Sequence, residues 1–211
     1  MQTNAYLLTR ERIRAIVSAT TRNELLNILA DCGYNTELPN DDAIIDAEKA
    51  KTLKTFAELS TDGNVTDCVT LLSTITETTV VKIFKDISRI IPKIKNVAVR
   101  EYFITLADLT NVRTFYKKGN TFVLGGRMGT RGLDIFPNMD LTQIEDAIHA
   151  RLDKLAAADK DNLFKPNLLF WWYMEKQKEF IAVKTILMNK AFGFHAGLIR
   201  ENLRGLYERF K

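Results

Sequence analysis

Cysteine and histidine are scarce, with two of each in 211 residues. Cys32 and Cys68 lack the CxxC spacing of a metal or redox pair, so the sequence predicts two small packed thiols in a reducing compartment and not a disulfide scaffold. His149 and His195 have no cysteine or carboxylate beside them at ligand spacing, which argues against a zinc site and leaves them solvated or capping roles. G-x-S-x-G, H-E-x-x-H and Cys-His signatures are missing, so nucleophilic and metal-dependent hydrolysis have no support. The sequence therefore predicts a protein that is not an enzyme and needs no cofactor. Long apolar runs are missing as well. The longest, Leu168 to Met174, falls far short of the ~20 residues of a membrane span, and the first residues lack the charged-then-apolar pattern of a signal peptide. The expectation is a soluble, cytoplasmic chain.

What the chain does have is charge and apolar periodicity. Its 30 basic and 26 acidic residues give a small net charge of +4, well below that of a dedicated nucleic-acid binder. The charge is unevenly spread. Asp31 to Asp67 holds nine acidic and three basic residues, whereas Lys93 to Arg131 holds eight basic and two acidic ones. Such a split suits a docking protein that meets partners of opposite charge.

Helix punctuation is frequent along the chain. Thr9 can cap a short helix through Ile13, Ile16 and Val17. Thr21 with Glu24 three residues on forms a capping box, and Gly33 is placed to end that helix. Pro39-Asn40 opens a helix to about Leu59, with Asp41 and Asp42 at its positive end. From Asn64 to Ile91 the β-branched content leans toward strand, yet Val80, Ile83, Phe84, Ile87 and Ile91 keep a helical period. Pro92 breaks the chain, and a long helix follows to Lys118. The stretch Gly119 to Asn138 is glycine-rich and predicts a loop between two lobes, with a short turn at Phe122 to Leu124. Asp140 caps a helix to about Ala158. Pro166 suits the first turn of a helix reaching Phe192, Gly193 stops it, and a last helix runs from Ala196 to about Phe210. The predicted fold is all-α, with an N-terminal helical lobe over 1–118, the loop over 119–139 and a C-terminal lobe over 140–211.

Within that loop, Gly125-Gly126-Arg127-Met128-Gly129-Thr130-Arg131-Gly132 is the one stretch resembling a phosphate cradle. It lacks the Lys-Ser/Thr of a P-loop and the strand-bound G-x-G-x-x-G of a dinucleotide site. It reads as a connection, with Arg127 and Arg131 as candidate anion or partner contacts. The aromatic residues Trp171, Trp172, Tyr173, Phe192 and Phe194 lie mostly at core spacing among mixed charges, which weighs against a nucleic-acid surface.

An internal repeat is the most informative motif. Asp108-Leu109-Thr110-Asn111-Val112-Arg113-Thr114 recurs seventy-one residues later as Glu179-Phe180-Ile181-Ala182-Val183-Lys184-Thr185. Each copy places an acid four residues before Val, then a cation and a Thr, in the middle of a long helix. With Gly125-Gly126 after the first copy, these segments resemble the C-type central-stalk family of A/V-type ATPases, the counterpart of the d-type stalk component in eukaryotes. Ile199-Arg200-Glu201-Asn202-Leu203-Arg204 resembles the family's closing helix, and Leu7 to Glu11, Asn23 to Leu26 and Cys32 to Tyr34 resemble its early ones. The chain departs from the family's pattern at Ala182, Gln177 and Leu124, and would be a short member.

The resemblance implies repeated helical-bundle lobes in a funnel-like arrangement. It implies a non-catalytic rotor part that joins the central shaft to the membrane rotor ring during proton or sodium transport, peripheral to the membrane through the complex and without a small-molecule substrate. It places Asp108, Asn111, Arg113, Glu179 and Lys184 on an inner surface that holds the shaft. A free-standing helical adaptor and a helical RNA-binding module are the alternative readings.

Overall fold

The computed structural model describes residues 7–116, 122–127, 140–160 and 168–203. Among these residues the fold is all-helical. The order is α1 (Arg10–Ser18), α2 (Arg22–Asp31), α3 (Asp41–Leu59), α4 (Gly63–Ser73), α5 (Val80–Ile90), a 3-10 turn (Ile91–Lys93), α6 (Val97–Tyr116), α7 (Leu141–Lys160), α8 (Leu168–Ala191) and α9 (Ala196–Asn202).

Local chemistry explains the boundaries. The Thr9 hydroxyl accepts from the Arg12 backbone N–H at the start of α1, and Asn40 Oδ1 accepts from Ala43 N at 2.8 Å to open α3. At α2, Thr21 Oγ1 accepts from Glu24 N at 3.1 Å, while the Glu24 carboxylate reaches back one residue further than the usual box and accepts from Thr20 N at 2.7 Å. Asp140 and Gln143 close a reciprocal box at α7, with Gln143 N donating to Asp140 Oδ1 at 2.8 Å and Asp140 N to Gln143 Oε1 at 3.1 Å. Gly33 and Gly193 adopt φ of 90° and 75° just after α2 and α8, the left-handed turn that glycine takes at least cost. His195 caps α9, its Nδ1 accepting from Gly197 N at 3.1 Å.

The β-branched stretch from Asn64 to Ile91 is helical in α4 and α5, because burying Val65, Val69, Ile83, Phe84 and Ile87 on one side of each helix outweighs strand propensity. The expected extensions to Lys118 and Phe210, Pro166, and most of the 119–139 loop lie outside the described residues.

The chain forms two compact units, one from Met1–Thr55 with Trp172–Lys211 and one from Phe56–Trp171. This differs from the expected division into 1–118, 119–139 and 140–211. The reason is visible inside each unit. In the first, Ile13, Ile16, Val17, Leu25, Leu29, Ile44 and Ile45 from the start of the chain share one core with Phe180, Val183, Ile186, Leu187 and Ile199 from its end. In the second, α6 and α7 pack through Leu109, Val112, Ile144 and Ile148. Loop residue Val123 joins Phe84 and Ala107 in a neighbouring cluster. Tyr102, Phe103, Phe170 and Trp171 form a set of edge-on and tilted aromatic contacts, with centroids 4.8 to 6.0 Å apart. Sequence order suggested a first and a second half, but the apolar faces of α1 and α2 are completed by α8 and α9.

Candidate functional site

The two copies of the repeat lie one in each unit, within α6 and within α8. In the second copy the Glu179 side chain is fully buried. One carboxylate oxygen accepts from the Leu8 backbone N–H at 2.7 Å, and the other accepts from the Tyr34 hydroxyl and the Lys176 ammonium, each at 2.7 Å. Lys176 sits one helical turn before Glu179, itself almost wholly buried, with its ammonium 5.9 Å and 6.0 Å from the Tyr34 and Phe180 ring centres. A buried carboxylate persists only when its charge and lone pairs are matched, and here both are. Burial and the Glu179 charge push the Tyr34 hydroxyl far above the ordinary tyrosine range, so it stays a proton donor to the carboxylate.

In the first copy Asn111 is buried and its amide makes two bonds to one residue of the glycine segment. Val123 N donates to Oδ1 at 2.7 Å, and Nδ2 donates to Val123 O at 3.1 Å. Asp108, one turn earlier and also buried, lies against Gly126, where a Cβ would fall 2.2 Å from its Oδ1. Gly125 beside it has φ of 100°. The Gly-Gly step is thus fitted to the acid and amide of α6. One glycine supplies the left-handed turn and the other the close approach.

The cations of the repeat behave differently. Lys184 is exposed and bonded to Asp42 at 2.7 Å, which holds the Asp42 carboxyl below its usual range and raises the Lys184 ammonium. Arg113 is exposed on α6. Arg127 pairs with Glu101, whose other oxygen lies 3.7 Å from Arg151. Arg131 lies outside the described residues. The sequence reading set Asp108, Asn111, Arg113, Glu179 and Lys184 together on a partner-facing surface. The structure instead buries Asp108, Asn111 and Glu179 inside their units, where their contacts are to the chain itself. Sequence reasoning missed three contributors, Lys176, Tyr34 and Glu101. Lys176 could have been found from its i, i+3 spacing to Glu179, but nothing in the sequence links Tyr34 to a residue 145 positions away.

At Ala182, where the first copy has Asn111, the side chain is buried in the core of the first unit. The buried acid of each copy lies beside a neighbouring segment, the one before α1 or the one after α6. The amide clasp occurs only in the first, at the glycine segment.

Chemically these sites hold structure. The oxygens of Glu179 are fully engaged, and no group of three or more His, Cys, Asp or Glu side chains among the described residues could hold a metal. A shallow cleft of about 340 Å³ beside Leu8, Arg12 and Cys32 adjoins the segment that Glu179 holds. Burial raises the Cys32 thiol there above its ordinary range. No helix among the described residues is long and apolar enough to cross a membrane. Set against known proteins, the chain matches no family model, no curated protein and no solved structure.

Proposed function

We propose that this chain is a non-catalytic docking protein, and specifically a short central-stalk (rotor) component of an A/V-type ATPase that couples the shaft to the membrane rotor ring. The observation that carries the reading is the recurring acid in mid-helix. In both copies it is buried and sits against a neighbouring segment, as a part that transmits torque without yielding requires. Glu179 fastens the segment before α1 to α8, and Asn111 with Asp108 fastens the glycine segment to α6. Each of these contacts ties segments that would otherwise move independently, and buried polar clasps resist shear because breaking them strands unsatisfied groups. On this reading Asp108, Asn111 and Glu179 shape the partner surface from behind, and the exposed cations Arg113, Lys184 and Arg127 stand nearer to it.

The same reading carries an arrangement of repeated lobes around a hollow, a cytoplasmic location peripheral to the membrane, and passage of protons or sodium ions through the partner ring. Affinity capture of the tagged chain from its native membranes is the test. Recovery of shaft and ring components supports the proposal. Recovery of unrelated soluble proteins with no ATPase component would overturn it in favour of a free-standing helical adaptor, and recovery of RNA in favour of the RNA-binding alternative.

A further inference from the structure

Several cations of the first unit have a carboxylate partner. Arg22 pairs with Asp41, Lys51 with Glu48, Lys176 with Glu179 and Lys184 with Asp42. The outward face of α5, in the second unit, is the opposite. Its inward residues Ile83, Phe84 and Ile87 are buried, which fixes the helix on the body of the unit. At about 100° per residue, Lys82, Lys85 and Arg89 fall within an arc of about 60° on the other side, and Lys93 follows in the 3-10 turn that continues the helix. All four are exposed. Among the described residues no carboxylate pairs with Lys82, Lys85 or Lys93, and Arg89 makes only a 3.4 Å contact with Asp86. At about 1.5 Å per residue the row is about 16 Å long. Val81 is exposed at its edge.

We propose that this strip docks the chain onto an anionic lipid surface. A row on a convex helix lets all four cations touch a plane at once. A duplex also offers phosphates to such a row, and the test therefore includes one. No exposed large aromatic lies on α5, where a single-stranded nucleic acid would stack. The apolar side of α5 is used by the core, so the contact is electrostatic and the helix does not insert, in contrast to an interfacial amphipathic helix. Each cation near such a surface is worth about fivefold in partitioning, and three unmatched lysines together about 100-fold. Lipid docking of this kind does not depend on the rotor assignment.

The test is co-sedimentation of the full chain with vesicles of phosphatidylcholine alone, or with 30% phosphatidylserine, at low and at high salt. Binding is expected only with phosphatidylserine, and salt should abolish it. The variant Lys82→Gln/Lys85→Gln/Lys93→Gln should lose about two orders of magnitude. The charge-matched control Lys49→Gln/Lys51→Gln/Lys154→Gln should lose far less, with both variants checked for helicity by circular dichroism. Equal loss in the two variants, or no dependence on phosphatidylserine, overturns the proposal. So does tighter binding of a 20-base-pair RNA duplex through the same lysines, which would make nucleic acid the partner.

Discussion

Replacing Gly126 with alanine tests the fit between the glycine segment and α6. The added Cβ would lie 2.2 Å from Asp108 Oδ1 and 3.1 Å from the Asp108 backbone nitrogen. The first distance is more than 1 Å inside ordinary contact but belongs to the free end of a side chain, whereas the second requires only a shift of the segment. The Asp108 carboxylate must therefore turn out of its buried place, and the shift strains the two bonds between Asn111 and Val123. Weakening two buried hydrogen bonds of about 1 kcal/mol each, plus the cost of displacing the buried carboxylate, gives a loss of about 2–4 kcal/mol. In a chain of this size that lowers the melting temperature by about 5–15 °C, readable by circular dichroism. Gly125→Ala is the comparison. Its Cβ would meet the end of the Ile91 side chain at 3.2 Å, so its cost is chiefly the strained φ of 100°, about 1 kcal/mol. Combining Gly126→Ala with Asp108→Ala removes the clashing carboxylate, so the double variant should be much less destabilised than the sum of the singles. A Gly126→Ala protein melting within about 1 °C of the parent, or strict additivity with Asp108→Ala, refutes the reasoning.

Other consequences can be checked in the same preparation. Glu179→Gln leaves the buried Lys176 ammonium without its counter-charge and should cost about 3–5 kcal/mol in urea unfolding, whereas adding Lys176→Met should recover part of that loss. His195→Ala removes the cap of α9 and should cost about 1 kcal/mol, with His195→Asn near the parent, both read by thermal melting. Burial pushes the Cys68 thiol up to about 12, so a thiol reagent at neutral pH should label the half-buried Cys32 first and reach Cys68 only on unfolding. Hydrogen bonds from Lys184 hold the Asp42 carboxyl below its unfolded value, and bonds from Thr20 do the same for Glu24. Their stabilisation is thus present above the unfolded carboxylate pKa of about 4 and fades as the pH falls through the lower folded values. Acid titration of the Asp42→Asn/Glu24→Gln variant should therefore show a shallower loss of stability below about pH 4 than the parent.

The sequence was most legible where structure is local. Thr9, Thr21, Asn40, Asp140 and Gly33 announce their helix ends because caps and left-handed turns are made within three or four residues. The helical character of α5 was readable from apolar spacing despite the β-branched residues. The grouping of helices into units was not readable, since period and capping say which face of α1 is apolar and not that Phe180 and Ile186 will cover it. The site divides the same way. The repeat drew attention to Asp108, Asn111 and Glu179, but an acid in mid-helix reads as solvent-facing until its partners are known. Those partners, Gly126, Val123, Leu8 and Tyr34, come from elsewhere in the chain. Burial of a charged residue is a tertiary fact.

The bond from Leu8 to Glu179 spans 171 residues, and this has a consequence for how the molecule comes into being. As the chain leaves the ribosome, α1, α2 and the first part of α3 emerge well before Phe180, Val183, Ile186 and Leu187 of α8, with which they share a core. The inserted unit, contiguous from Phe56 to Trp171, has all its partners in hand before α8 is complete. The inner unit can therefore complete its core before α1 and α2 complete theirs, which waits for α8 and α9. Only when synthesis has passed Trp171 by the length of the exit tunnel can the inner unit be finished while α1 and α2 still lack α8, the stage at which a chaperone has most to hold.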